Sequence, residues 1–379
     1  MKALKASFWS LSAAALMLTA CAGGTQKEAE LTLSGLDAAK FDTVINEKPV
    51  KLYTLKNQNG MEVCITNYGG RVVSLVVNDK DGNPTDVVLG FDNIAQYADT
   101  LNTPSDYGSS VGRYANRICD GKFTLNGETY QLRQNDPHDG DTRIHCLHGG
   151  GKTGWMNQVY DVLEVNDSLI KLQITAADGE NGFPGNVVAT TTYKVTADNV
   201  LDIVWEATTD KPTIINQTNH NYYNLSGDLE NAAYDQVLYV NADNFTEADF
   251  SYMPTGKILP VEGTPMDFRT PHAVGDSIKS EYSQTKNAHG YDHNWCLNTY
   301  KDGKGDDTQV CASLYSPKSG IFMEMFTNEP GVQVYSGNFQ GVDGKENVVR
   351  KLGKKYPQHV SICLESQKYP DSPNHPEWA

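Results

Sequence analysis

An alternation of apolar and polar residues with a period of two runs through much of the chain, and it constrains the fold more than any other feature. In NVLDIVWEATTD, the apolar residues Leu201, Ile203 and Trp205 are separated by single residues that would point the other way. VVATTTYKV and KLQIT follow the same pattern. This period is that of a β-strand with one buried face, because an amphipathic helix requires a period of 3.6.

Dipeptides that favour tight turns separate these strand-like segments. Asn59-Gly60, Asp81-Gly82 and Asn126-Gly127 are hairpin signals. We find no long amphipathic helix beyond the N-terminus, no internal repeat, and no linker dividing residues 40–379. The length of 379 residues could hold two average domains, but large β-sandwiches often exceed the usual domain length. We therefore predict an all-β fold, one large antiparallel β-sandwich over residues 41–379, whose broad sheets offer a concave face suited to a sugar.

The N-terminus has the features of an export signal. Lys2 and Lys5 precede an apolar run over residues 8–18, which is too short to span a bilayer. The following Leu-Thr-Ala-Cys, ending at Cys21, resembles the signal of a bacterial lipoprotein, which is cut before the cysteine that receives the lipid. We predict a signal peptide over residues 1–20, a polar tether over 21–40, and an exported protein anchored by lipid on Cys21 to the periplasmic side of a membrane or the cell surface. The alternative is an ordinary secretory signal with an incidental cysteine.

The net charge excludes two classes of partner. The formal charge is −16, and it becomes more negative after loss of residues 1–20, which contain Lys2 and Lys5 but no acid. Nucleic acids and anionic lipid surfaces are therefore poor partners, whereas a neutral sugar is compatible. The sequence indicates no particular protein partner.

Seven cysteines are present, and their spacing indicates neither a metal site nor a disulfide framework. Cys21 is assigned to the lipid. We expect the other six to be buried thiols, which is the usual state of unpaired cysteines: Cys64, Cys119, Cys146, Cys296, Cys311 and Cys363.

Three residues stand out as candidates for acid–base chemistry. Glu365 follows an apolar strand-like run, and burial would raise its pKa toward the range of a general base, unless it is a solvated glutamate at a strand end. His220 lies between two asparagines and can exchange a proton near neutral pH, although it could equally be structural. His148 precedes three glycines that would let the loop approach a ligand, although a loop with an incidental histidine fits as well.

Ten segments together resemble the aldose 1-epimerases, also called galactose mutarotases. The resemblance covers about residues 50–377 and includes nearly all of the predicted mature chain. The segments, in order, are NYGGRVVSLVV, DVVLGFDN, YGSSVGRYANRI, LHGG, DGENGFPGN, TNHNYYNL, PTGKILPVEGTPMDFR, GYDHN, EPGVQVYSGN and LESQKYPDSPNHPE.

The resemblance implies roles for individual residues. Glu365 falls where the family has its general base, His220 where it has its general acid, and His148 where a second histidine contacts the sugar near the reacting ring. It also implies sugar contacts from Arg117 with its neighbour Asn116, from Asp292 through sugar hydroxyls, and from Gln333. The implied reaction interconverts the α and β anomers of free aldohexoses such as galactose or glucose. It requires no metal or other cofactor, because only protons move.

The chain departs from the family pattern in three places. Asn221 and Tyr223 stand where the family commonly has serine and phenylalanine. The segment NDPHDGDTRIHCLHGG is longer than usual, so we expect a different rim to the site. The family usually continues past PNHPE into another strand, whereas the sequence ends at Ala379, and we expect a neighbouring strand to be left unpaired.

Two functions other than mutarotation are possible for such a sequence. A sugar-binding lipoprotein without catalysis would need only contacts such as Arg117, Asp292 and aromatic faces, so the presence of both Glu365 and His220 argues against it. An epimerase acting on a sugar phosphate is disfavoured because no cluster of Lys and Arg is evident near the motifs.

Overall fold

The computed structural model describes residues 31–342 and 344–378 of the chain. The predicted signal peptide and Cys21 lie outside these residues. Among the described helices, none has both the length and the apolar character needed to cross a membrane.

The described residues form an almost entirely β structure with short strands. In chain order the first strands are β1 (Thr43–Ile45), β2 (Lys48–Val50), β3 (Leu52–Lys56), β4 (Glu62–Thr66), β5 (Arg71–Asn78), β6 (Pro84–Asp86), β7 (Ser110–Val111), β8 (Arg117–Ile118), β9 (Lys122–Leu125), β10 (Glu128–Gln131), β11 (Asp136–Pro137), β12 (Ile144–Leu147), β13 (Asp161–Val165), β14 (Leu169–Ala176) and β15 (Val187–Val195). The remaining strands are β16 (Leu201–Thr209), β17 (Thr218–Asn219), β18 (Tyr222–Tyr223), β19 (Val237–Val240), β20 (Asn244–Ala248), β21 (Pro254–Pro260), β22 (His272–Ala273), β23 (Asp292–Cys296), β24 (Tyr300–Lys301), β25 (Lys304–Gly305), β26 (Ala312–Tyr315), β27 (Phe322–Met325), β28 (Gly331–Tyr335) and β29 (Ile362–Gln367).

Helices are few and short. The α-helices of the described residues are α1 (Ile94–Ala98) and α2 (Ser283–Asn287). Single turns of 3-10 helix occupy Ala38–Phe41, Cys119–Gly121, Gly151–Thr153, Trp155–Asn157, Glu180–Gly182, Val274–Asp276, Lys351–Gly353, Ser372–Asn374 and Pro376–Trp378.

The strands pair antiparallel into four larger sheets and several small ones. The larger sheets have the orders β3-β4-β5-β6, β13-β14-β15-β16, β22-β19-β26-β27 and β18-β29-β28-β23-β20-β21. All four contribute side chains to one hydrophobic core, which includes Val63, Leu172, Leu238 and Val334. The predicted all-β antiparallel fold is therefore confirmed.

The predicted alternation and turns are present in the β13–β16 sheet and in the hairpins. Along β15, buried side chains alternate with more exposed ones over its whole length. The dipeptide Asn126-Gly127 joins β9 to β10 as a two-residue loop, and both residues have positive φ, 53° and 82°. This conformation is the reason why Asn-Gly is favoured in such hairpins.

The inner strands β4 and β5 of the β3–β6 sheet are buried on both faces over most of their length, and residues 31–41 cover part of the second face of this sheet. Val63 points into the main core, whereas its neighbour Cys64 lies in a second apolar cluster with Leu36 and Phe41. The backbone N–H of Leu33 also donates to Glu62 at 2.7 Å. Residues 31–40, the end of the stretch that the sequence assigned to a tether, are thus packed on the domain.

The six cysteines of the described residues are free thiols. Cys64, Cys146, Cys311 and Cys363 are buried, as expected, whereas Cys119 and Cys296 are half-buried.

Candidate active site

One face of the six-stranded sheet forms the floor of the site. Along β29, Ile362 and Leu364 join the hydrophobic core, so Cys363 and Glu365 point to the opposite face. In the register of β28 with β29, Gln333 lies directly opposite Glu365. The apolar setting that marked Glu365 in the sequence therefore reflects alternate residues of a strand that is buried on both faces.

Glu365 and His220 meet at this floor. Oε2 of Glu365 lies 3.5 Å from Nε2 of His220, and the two residues are only 2% and 4% exposed. Neither Oε2 of Glu365 nor Nδ1 of His220 has a hydrogen-bond partner among the described residues. Buried polar atoms usually have partners, so both atoms remain available for hydrogen bonds to water or to a bound molecule.

Burial moves the pKa values of the two groups in opposite directions. Desolvation raises the pKa of Glu365 well above its usual range, and the negative charges of Asp292 and Asp106 raise it further. Desolvation lowers the pKa of His220 to about 3, an effect that Asp106 opposes. Both shifts favour the neutral forms, so the pair holds one proton that either member can carry.

His220 is held by backbone pairing and by aromatic rings. Its N–H donates to the carbonyl of Ser109, and its carbonyl accepts from the N–H of Gly108, both at 2.9 Å. The imidazole stacks on the ring of Tyr222 with centroids 4.9 Å apart and meets Tyr335 edge-on at 6.4 Å. These contacts fix the ring against Glu365.

His148 enters the same site from the end of β12. It has a positive φ of 51° and is followed by Gly149 at 71°. A Cβ atom at Gly149 would lie 2.3 Å from the carbonyl oxygen of Gly112, so this glycine is required by the protein backbone itself. The N–H of Asn116 donates to Nδ1 of His148 at 3.2 Å, which leaves the proton of the neutral ring on Nε2.

The predicted sugar contacts form a polar network beside this centre. Nε of Arg117 donates to Asp136 at 2.7 Å, and its guanidinium lies over the ring of Tyr252 at 5.0 Å. Nε2 of Gln333 donates to Asp292, also at 2.7 Å. These ionic and amide groups are fixed before any ligand binds, which favours recognition of hydroxyl groups.

All seven predicted site residues line one cavity of about 410 Å³, a size within the range of small-molecule sites. They are Asn116, Arg117, His148, His220, Asp292, Gln333 and Glu365. A wider groove of about 600 Å³ lies elsewhere, on β19, β26 and β27, but its lining is mostly apolar and contains one titratable acid, Glu324. The lining residues therefore identify the smaller cavity as the candidate active site.

The sequence analysis missed several lining residues. Asp136 and His138 come from NDPHDGD, the segment that was expected to alter the rim. Asp106 precedes the motif YGSSVGRYANRI by one position, which was the available signal for it. The other missed residues with polar or aromatic side chains are Ser105, Tyr107, Tyr222, Tyr252, Tyr335, Phe339, Gln340, Lys345 and Arg350.

The expectation that no basic cluster lies near the motifs is wrong. Lys345 and Arg350 line the cavity together with Arg117. Arg117 is neutralised by Asp136, and Arg350 donates to backbone carbonyls of its own loop. The carboxyl groups of Asp106 and Asp292 also line the cavity beside Lys345 and Arg350, so the lining has no excess of positive charge to favour an anionic sugar.

Asp106, His148 and His220 form the group of potential metal ligands found among the described residues, with one ligand atom of each within 4.8 Å of the others. The tautomer of His148 is incompatible with metal binding by this group. Because its Nδ1 accepts the N–H of Asn116, Nε2 of the neutral ring is protonated and has no lone pair for a metal. The group does not fit a metal site.

Comparison with known proteins agrees with this arrangement. A sequence model of the family described as aldose 1-epimerase matches residues 51–379. The chain belongs to the aldose 1-epimerase family. It is therefore an isomerase by family, as the sequence motifs implied.

Relatives in bacteria and animals match most of the chain. An aldose 1-epimerase of Escherichia coli K12 is 34% identical over 87% of this chain and 90% of its own length. A galactose mutarotase of Mus musculus is 36% identical over 89% and 92%. Among solved structures, galactose 1-epimerase from Lactobacillus acidophilus NCFM has a TM-score of 0.71 and 30% identity, covering 86% of this chain and 89% of that one.

The two departures from the family pattern at the histidine motif contact each other. Nδ2 of Asn221 donates to the hydroxyl of Tyr223 at 3.1 Å. An aldose 1-epimerase with serine and phenylalanine at these positions has neither group. The two departures thus add one hydrogen bond between neighbouring side chains, beside the backbone pairing of His220.

Proposed function

We propose that this chain interconverts the α and β anomers of free aldohexoses, with Glu365 as general base and His220 as general acid. The observation that carries the proposal is the 3.5 Å separation of Glu365 Oε2 and His220 Nε2 at the floor of a polar cavity. A carboxylate and an imidazole at this separation can contact both oxygens bonded to C1 of a single pyranose ring, the hydroxyl oxygen and the ring oxygen.

The reaction begins with ring opening. Glu365 takes the proton of the C1 hydroxyl while His220 protonates the ring oxygen, so the bond from C1 to the ring oxygen breaks and an aldehyde forms. Rotation about the C1–C2 bond presents the other face of the carbonyl. His220 then takes the proton back from the hydroxyl as it attacks C1, Glu365 returns its proton to the carbonyl oxygen, and the opposite anomer forms.

Burial explains why Glu365 and His220 together hold a single proton. The reactive arrangement is a carboxylate with an imidazolium, whereas burial favours a carboxylic acid with a neutral imidazole. The two arrangements differ by one proton transfer across the pair. Hydrogen bonds from a bound sugar to the charged groups favour the reactive arrangement, because they replace the lost hydration.

The polar network supplies orientation. Asp292 accepts hydrogen bonds from sugar hydroxyls, Arg117 and Gln333 donate to them, and His148 donates through Nε2 near the reacting centre. Holding the sugar with its C1 oxygens against the pair accounts for rate enhancement beyond acid–base catalysis alone.

The first test is polarimetry on freshly dissolved anomers. We expect the protein to accelerate the approach of α-galactose or α-glucose to its equilibrium rotation, and comparison with xylose and arabinose identifies the preferred aldose. A protein that binds these sugars, measured by calorimetry, but leaves the rate at that of buffer would instead be a binding lipoprotein.

We further propose that the mature protein is exported and anchored by lipid on Cys21. The support is the order of basic residues, a short apolar run and Leu-Thr-Ala-Cys at the N-terminus. Two acyl chains anchor a protein stably, whereas one does so only reversibly.

Substitution of Cys21 tests the anchor. In cells producing the full chain, we expect the wild type in the membrane fraction and Cys21→Ser largely in the soluble or secreted fraction, with mutarotase activity retained. Mass spectrometry of the N-terminal peptide provides the direct measurement. An unmodified Cys21 in the mature protein would contradict the proposal.

A further inference from the structure

Asp106 is a charged residue of the cavity to which the mechanism above gives no task. Its backbone is fixed by a turn in which the carbonyl oxygen accepts from the N–H and hydroxyl of Ser109, at 3.0 Å and 2.8 Å. The next residues pair with His220: the N–H of Gly108 donates to its carbonyl. The chain therefore places Asp106 close to the backbone of His220, the proposed acid.

The turn depends on glycine at position 108. Gly108 has a φ of 65°, and a Cβ atom there would lie 1.9 Å from the carbonyl oxygen of Val72. Such a close approach excludes any side chain. The position of the Asp106 backbone relative to His220 is thus set by packing.

The carboxylate of Asp106 points to the two histidines and lacks a protein donor. One of its oxygens and one ring nitrogen each of His148 and His220 lie within 4.8 Å of one another. No side chain or N–H of the described residues donates a hydrogen bond to this carboxylate. This half-buried carboxylate is therefore free to interact with the neighbouring imidazoles or with a ligand.

We propose that Asp106 is a positioning residue for the acid–base pair: its fixed negative charge stabilises the imidazolium form of His220 that protonates the ring oxygen. The inference rests on the proposed function and assigns a residue to it. Glu365 gains and loses a proton during the reaction, whereas Asp106 keeps its charge throughout.

The charges around His220 explain why such a group is required. Burial, the cation Arg71 and the neighbouring His148 all disfavour a proton on His220. The phenol rings of Tyr222 and Tyr335 pack against it without charge, since burial raises the pKa of both tyrosines. Apart from Glu365 itself, Asp106 is the anion that opposes these effects.

The negative charge of Asp106 also affects Glu365, the proposed general base. Asp106 also contributes to the raised pKa of Glu365, which makes the carboxylate a stronger base. Removing the charge should therefore lower both apparent pKa values of the pair, which belong to the coupled groups together. Burial raises the pKa of Asp106, but the positive charges of His220, His148, Arg71 and Lys345 lower it by more, so Asp106 stays ionised.

The test is the pH profile of mutarotation in the full mature chain. For Asp106→Asn we expect both limbs of the kcat/KM profile to move to lower pH by about one unit. Asp106→Glu keeps the charge and should reverse most of this shift. Asp198→Asn, an exposed acid in the hairpin between β15 and β16, should leave the profile unchanged.

A measurement without turnover separates this inference from the proposed function. NMR titration of the His220 imidazole should show a lower pKa in Asp106→Asn than in the wild type, whether or not the wild type is a mutarotase. An unchanged pH profile and an unchanged His220 titration in a folded Asp106→Asn variant would overturn the inference. A uniform loss of activity without any shift, not rescued by Asp106→Glu, would also overturn it.

Discussion

Replacing Glu365 by glutamine should reduce mutarotation by about 10² to 10⁴-fold. Glutamine keeps the shape and the hydrogen-bonding oxygen of the side chain but cannot accept the proton of the C1 hydroxyl. The loss should lie in kcat, with KM for the sugar little changed, because the amide can still contact the C1 oxygen. Polarimetry at several sugar concentrations measures both.

Glu62→Gln is the matched control for this substitution. Glu62 is also a buried strand glutamate whose pKa is raised by burial, but it lies on β4, outside the lining of the cavity. We expect this variant to keep wild-type turnover. Equal activity of Glu365→Gln and the wild type would show that the base is misassigned.

The Glu365→Gln variant should also become more stable than the wild type as pH rises. Because the pKa of Glu365 is raised in the folded state, its favourable contribution is complete below the unfolded-state pKa and is lost as pH rises through the folded-state pKa. Glutamine does not ionise and avoids this loss. Thermal unfolding at increasing pH should show a growing Tm difference, a cost of function commonly found at active sites.

Replacing His220 by asparagine should cause a loss of similar size, about 10² to 10⁴-fold. Asparagine can still donate to the ring oxygen but cannot transfer a proton. The variant should keep its fold, because the backbone pairing with Ser109 and Gly108 does not involve the imidazole. His272→Asn, on β22 away from the cavity, controls for loss of an imidazole, and an active His220→Asn variant would remove the acid from the mechanism.

The double variant and the pH profile test whether the two groups act as a unit. Since both proton transfers occur in one ring opening, Glu365→Gln with His220→Asn should be little slower than the slower single variant.

The pH profile of mutarotation by the wild type should be bell-shaped: activity falls at low pH as the carboxylate is protonated and at high pH as the imidazolium is lost. The single variants should each lose one limb.

Much of the fold could be predicted, because alternation and turn residues act locally. The period of two in β15 and β16 and the Asn126-Gly127 hairpin needed no long-range information. The packing of residues 31–40 could not be predicted in this way. Their composition is that of a tether, and only the presence of an uncovered apolar face on the β3–β6 sheet explains why Leu36 is buried.

The site was predicted in part. The family motifs led to Glu365, His220 and the predicted sugar contacts, which line one cavity, because those residues stand within recognisable segments. Lys345 and Arg350 lie outside those segments, and Asp106 precedes one of them by a single position. The place of Asp106 in the cavity depends on the packing of Gly108 against Val72, which no local pattern encodes.

By itself the sequence determined the all-β class, the turn positions and the family, since each follows from the order of residues along one segment or a few. The tertiary structure alone decided which side chains line the same cavity and how burial shifts their pKa values. Glu365 and His220 are far apart in the chain and come within 3.5 Å of each other only in the folded structure, where β18, which begins two residues after His220, pairs with β29. The electrostatics of that pair depend on the distances to Asp106, Asp292 and Arg71, and no local pattern encodes such distances.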